Sequence, residues 1–209
     1  RKKAGGGALY DLGSHVLDMV GFLLGKFSAV QAHLETLITE RPTKSFSSER
    51  ATVDVDDLAF LHLKTETGIP GIVEVSRLST GAVNDIQLEI FGERGALRFR
   101  GEQPSWLEIY DTNNPDEPLG GKRGFQRIET VQRYQGQKAP DWTQTAGFAR
   151  SHAESQYRFM CALWEDRKAL PDISTGLHVQ EVMEAAEISS DIGRWVKVGE
   201  RGAKTLLNL

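Results

Sequence analysis

The chain has 209 residues, 39% apolar and 26% charged, with a net charge of −4. That is enough material for one domain with a real core, or at most two small ones, and it excludes the basic excess of a nucleic-acid surface. The longest apolar run, 16–24, contains Asp18 and falls short of the ~18 residues of a membrane span, and the single cysteine, Cys161, excludes an internal disulfide framework.

In chain order, Gly5-Gly6-Gly7 opens a helix predicted over 9–24 and ended by Gly25. Leu12, Val16, Met19 and Leu23 form its expected core stripe. Asp11, His15 and Asp18, at i, i+4 and i+7, form a separate polar stripe turned by about 100°. Strands are predicted over 27–38, 57–66, 71–78 and 86–91, with further alternation at Leu97/Phe99 and Leu107/Ile109. The polar stretch 39–54 reads as a loop, as do 113–124 and 135–145, with a strand between the last two at 127–134. Two helices close the chain. One runs through Ala153, Met160 and Leu163, and one starts at Ser174 as N-cap. A short strand over 195–198 follows. One apolar face per strand predicts an α/β fold of the α+β type: a predominantly antiparallel open sheet with helices packed on one face.

The chemistry concentrates at the first helix. An alcohol oxidation needs a base at the hydroxyl, and histidine is matched to neutral pH. A carboxylate one turn away fixes the imidazole tautomer, and Asp11 and His15 supply that pair. Asp18 reads as a buttress of the helix. The three together are also open to a metal, but no further ligand stands at suitable spacing, and no metal is expected.

The glycine entry followed by Asp11-x-Gly13-x-His15-x-x-Asp18 resembles the catalytic-helix signature of the Gfo/Idh/MocA oxidoreductases, which include glucose-fructose oxidoreductase and inositol dehydrogenases. Glu74-Val75-Ser76-Arg77, the stretch 91–97, and 171–177 ending in Gly193-Arg194-Trp195-Val196 match the order of that family's C-terminal domain, so the resemblance spans 5–198. It implies a fold like the C-terminal domains of dihydrodipicolinate reductase and glyceraldehyde-3-phosphate dehydrogenase. It further implies that 1–209 is a single substrate-binding and oligomerisation domain, a fragment of a longer two-domain enzyme; the lone cysteine fits a reducing, cytoplasmic compartment. The family's Rossmann domain carries a Gly-rich loop and a Glu-Lys-Pro lysine. Neither stands in this sequence, where Tyr10 occupies the third glycine position of a would-be G-x-G-x-x-G.

The implied reaction is NAD(P)-dependent oxidation or reduction of a sugar, polyol or related hydroxy compound. By the same resemblance His15 is the general acid/base and Asp11 orients it. Arg77, in a family-like Glu-x-Ser-Arg context, is a candidate for holding a substrate hydroxyl or carboxylate, with a salt bridge at the sheet surface as the alternative; His152 is a candidate for substrate contact, and Gly5, Gly6 and Gly7 let the backbone approach the cofactor or substrate. NAD or NADP is expected to be held mainly by the other domain, leaving this fragment inactive alone. A homodimer or tetramer through the exposed sheet face is expected, with no nucleic-acid or membrane partner. The alternative is a non-catalytic binding or dimerisation module with a dehydrogenase-type fold.

Overall fold

Period-two alternation in the middle of the chain and helical spacing toward its ends produce strands, one π turn and three α-helices in the computed structural model, which describes residues 5–130 and 148–199. The chain divides into two units, Arg1–Thr80 with Pro171–Leu209, and Gly81–Leu170.

The first unit holds the π turn Leu9–Gly13, α1 (Ser14–Leu24), β1 (Phe27–Glu35), β2 (Glu40–Pro42), β3 (Arg50–Thr52), β4 (Leu58–Thr65) and β5 (Pro70–Ser76), together with two C-terminal elements described below. The second unit holds β6 (Gln87–Gly92), β7 (Gly95–Arg100), β8 (Trp106–Asp111), β9 (Gln126–Glu129) and α2 (Phe148–Trp164). The chain then returns to the first unit as α3 (Ile173–Ile192) and β10 (Val196–Lys197).

In the first unit an antiparallel sheet runs in the order β10-β1-β4-β5. Ala32 faces Leu61 and Leu61 faces Val73, so one side of the sheet is a buried apolar layer. Phe60, His62 and Ile72 alternate to the opposite, exposed side. A bulge between Phe27 and Ala29 breaks the alternation and lets both Phe27 and Val30 reach the core. The π turn, α1 and α3 contribute Leu9, Leu17 and Val182 to that core, all fully buried. Each such side chain stabilises the fold by roughly 1.5–3 kcal/mol.

Three local features differ from the sequence reading. First, the fully buried positions of the leading helical segment are Leu9, Gly13 and Leu17; of the expected stripe, Leu12 and Val16 are half-buried and pack against that core, while Leu23 is 48% exposed. A π turn closes i→i+5 rings, so it spends more residues per turn and rotates the face that follows. Gly13 makes this possible: Leu9 Cδ1 sits 3.2 Å from where a Cβ at that position would stand. Second, 39–54 is not all loop, because β2 and β3 pair as a separate antiparallel hairpin. Third, the N-cap of α3 is Asp172, whose carboxylate accepts from the amides of Ser174 at 3.0 Å and Thr175 at 3.1 Å.

The second unit is an antiparallel meander in the order β6-β7-β8-β9, with α2 following. Leu88 opposite Phe99 and Leu97 opposite Ile109 form its apolar side. Arg98 pairs with Glu89 at 3.0 Å, and Arg127 lies over the Trp106 ring. All described ladders are antiparallel, as predicted, but the strands fall into two four-stranded sheets and a hairpin rather than one open sheet. The strand predicted over 127–134 is present as β9, and its continuation beyond 130, with the loop at 135–145, lies outside the described residues. No described helix is long and apolar enough to cross a membrane.

Candidate active-site cleft

In the first unit a cleft of about 750 Å³ opens beside the glycine entry, the β2–β3 hairpin and the end of β5. Gly5, Tyr10, Asp11, Arg41, Thr52 and Arg77 are among its walls.

Two adjacent carboxylates build it. The first turn of a helix leaves its amides without partners. Asp56 supplies them: its side chain accepts from Leu9 N–H at 2.7 Å and its carbonyl from Ala8 N–H at 2.9 Å. A negative charge at that end also suits the helix dipole. The approach requires a glycine, since a Cβ on Gly7 would overlap both the carboxylate and the carbonyl oxygen of Asp56. Gly6, at φ 136°, has Tyr10 Cδ2 2.7 Å from where its Cβ would stand. Gly5 alone of the three has open space there.

Asp57 is buried at 3% exposure and takes the Ile38 amide and Arg41 Nη2, each at 2.8 Å. Its carbonyl accepts from Arg77 N–H at 2.9 Å and its own N–H donates to Glu35. The dipeptide thus ties the helix start, the hairpin base, the end of β1 and the Arg77 backbone together. No sequence pattern pointed to it, because every one of its partners lies outside its own local motif.

The other walls are equally engaged. The Tyr10 hydroxyl donates to Glu187 of α3 at 3.0 Å, and burial, reinforced by that carboxylate, pushes its pKa up. The Asp11 carboxylate is ion-paired with the Arg77 guanidinium, both side chains about half exposed. Asp11 and Arg77 were singled out separately by sequence, and the structure brings them together. Among the described residues Asp11 has this partner and not His15. His15 lies on α1, exposed and outside the cleft walls, and Asp18 is half-buried further along α1. His152 lies on α2, exposed, in the second unit. Among the described residues no group of three or more His, Cys, Asp or Glu is placed to hold a metal ion.

Of the remaining histidines, His33 contacts Glu35 on the surface at 3.2 Å. His178 is structural: its Nε2 accepts from Phe27 N–H at 3.0 Å while the ring stacks on Phe27. Chemically, the cleft offers carboxylate acceptors beside guanidinium donors, an arrangement suited to hydroxyl groups, each of which both donates and accepts.

Comparison with known proteins places this geometry in context. The profile of an oxidoreductase family, the C-terminal alpha/beta domain of the Gfo/Idh/MocA proteins, matches residues 1–198. The levoglucosan dehydrogenase of Pseudarthrobacter phenanthrenivorans is 30% identical over 96% of this chain and 54% of its own length. A solved levoglucosan dehydrogenase in complex with NADH and levoglucosan superposes with a TM-score of 0.85 at 31% identity, over 94% of this chain and 52% of that one. An oxidoreductase domain protein from Kribbella flavida gives a TM-score of 0.83 at 33% identity, over 94% and 51%. The chain therefore spans about half the length of each of these relatives.

Proposed function

The chain belongs to the Gfo/Idh/MocA oxidoreductase family, and from that membership we propose that it is the substrate-binding and proton-transferring part of an NAD(P)-dependent dehydrogenase acting on a sugar, polyol or related hydroxy compound. The observation that carries this reading is the cleft wall formed by the Asp11–Arg77 pair at the start of the helical segment bearing His15.

In this mechanism His15 takes the proton from the substrate hydroxyl on oxidation and returns it on reduction. Arg77 donates to neighbouring hydroxyls while Asp11 accepts from them, and Asp11 also serves as the carboxylate toward which the His15 imidazole turns when substrate engages Arg77. His152 is a further candidate for substrate contact. At the glycine entry the described residues do not suit the holding of a dinucleotide: the helix N-terminus that would receive a pyrophosphate is already capped by Asp56, and the space at Gly6 and Gly7 is filled by Tyr10 and Asp56. Gly5 is the one of the three glycines left to border a cofactor held elsewhere in a longer protein. The exposed side of the β1–β4–β5 sheet, with Ile72 at 74% exposure, is the proposed surface for self-association.

The test is His15→Ala in the full-length protein. Turnover should fall on the order of 10²–10⁴-fold, the effect of losing a general acid/base, while substrate affinity changes little. Near-normal turnover would refute the assignment. The binding-module alternative draws on one observation, the engagement of Asp11 by Arg77 and not by His15. Saturable polyol binding by the full-length protein, with no change in nicotinamide absorbance across a substrate screen, would favour it.

A further inference from the structure

The charges lining the cleft are all spoken for, and this bears on what it admits. Its walls carry three carboxylates, Asp11, Asp56 and Asp57, against two guanidiniums, Arg41 and Arg77. Arg41 is paired with buried Asp57 at 2.8 Å and Arg77 with Asp11. Asp56 is committed to the helix start. The Tyr10 hydroxyl is given to Glu187 and that of Thr43 to Glu49. The balance of the lining residues is one negative charge, and neither arginine is uncompensated.

From this we infer that the cleft selects neutral polyhydroxylated ligands and rejects their carboxylate or phosphate counterparts, with the Asp11–Arg77 pair as the selecting element. This rests on the reading of the cleft as the sugar-binding side of the site. A hydroxyl inserts beside an Asp–Arg pair without breaking it, accepting from one guanidinium N–H and donating to one carboxylate oxygen. An anion at the same place has two courses. It displaces Asp11 and leaves that carboxylate without its partner, or it sits without a cation of its own in a concave wall of net negative charge whose two guanidiniums are already paired. Both disfavour it. The discrimination therefore comes from repulsion built against the wrong ligand as well as from attraction to the right one.

The measurement is an amide-resolved NMR titration of the full-length protein with a matched pair, methyl β-glucoside and methyl β-glucuronide, which differ at one carbon by hydroxymethyl against carboxylate. The glucoside is expected to shift the amides of Gly5, Thr52 and Arg77, and the glucuronide to bind about tenfold or more weakly. Asp11→Asn frees the Arg77 charge and should bring glucuronide to parity or better. The double variant Asp11→Asn with Arg77→Met should lose that gain. Unchanged amide positions distant from the cleft check that the variants fold, and if Asp11→Asn does not fold, the wild-type ratio decides alone. Glucuronide binding as tightly as glucoside, a ratio unmoved by Asp11→Asn, or no shift of cleft amides with either sugar overturns the inference. Because binding is read without turnover, failure of the His15 assignment leaves this result standing. An anion-preferring cleft likewise leaves the dehydrogenase reading to its own test.

Discussion

Asp56 shows how a single residue sets the site. It satisfies the amides of Ala8 and Leu9 at the helix start, far away in sequence, and Gly7 is glycine so that it can come that close. Asp56→Ala should destabilise the protein by about 1 kcal/mol, the usual cost of losing a helix cap, while Asp56→Asn keeps an acceptor and should cost less. Gly7→Ala should cost about 1–3 kcal/mol by overpacking against the Asp56 backbone. Urea midpoints of the three variants check the order. The family resemblance implied that Gly7 lets the backbone approach the cofactor or substrate; within this chain the group beside it is Asp56. What approaches is a partner that local sequence does not reveal.

At the scale of elements, α3 is bound to β1 by polar contacts as well as by its apolar face. Buried Ser189 accepts from Ala32 N–H at 2.9 Å and donates to Arg194 O at 2.6 Å, and Ser190 accepts from Leu34 N–H at 2.9 Å. These hydroxyls stand where a further strand would satisfy β1. Ser189→Ala leaves the Ala32 amide and the Arg194 carbonyl without partners and should cost about 1–3 kcal/mol, read as a lowered thermal midpoint. His178 holds the start of β1 in the same way, as a neutral acceptor. Burial and then Lys26 lower its pKa from the ordinary 6.5, against the opposing pull of Glu181 and Glu66. The unfolded chain therefore takes up the proton first as pH falls. His178's contribution is fully present above about pH 6.5 and declines as pH drops through the lowered folded value. His178→Gln should flatten that part of the stability profile, measured by denaturation across pH 4.5–7.5 (roughly the span in which histidine titrates).

At the scale of the molecule, the first unit is assembled from both ends of the chain: α3 and β10 return across 90 intervening residues (81–170) to complete the core begun by the π turn, α1 and β1. Its sheet leaves one side open, with Phe60 and Ile72 exposed. If that side mediates the proposed self-association, Ile72→Glu should shift sedimentation of the full-length protein toward the monomer without altering its fold. An unchanged sedimentation coefficient would count against the interface. The second unit carries Leu88, Leu97, Phe99 and Ile109 on the apolar side of a regular meander, and this regularity is why its strands were legible as simple alternation.

Where a residue's role depends on its near neighbours in the chain, the sequence alone determined the outcome. Alternation at Leu58–Thr65 and Gln87–Arg100 placed strands because side chains leave a strand on alternate faces. Gly25 ended α1 at Leu24 because a positive φ, here 90°, suits a glycine after the last turn. The succession of motifs from the glycine entry to Trp195 was enough to indicate the family. Tertiary structure alone decided which positions of the first helical segment are fully buried, Leu9, Gly13 and Leu17. It alone joined Asp11 to Arg77 and set Asp56 and Asp57 beneath the cleft. These partners are far apart in sequence, and a hydrogen bond or ion pair forms where the fold brings donor and acceptor together, which no local periodicity encodes.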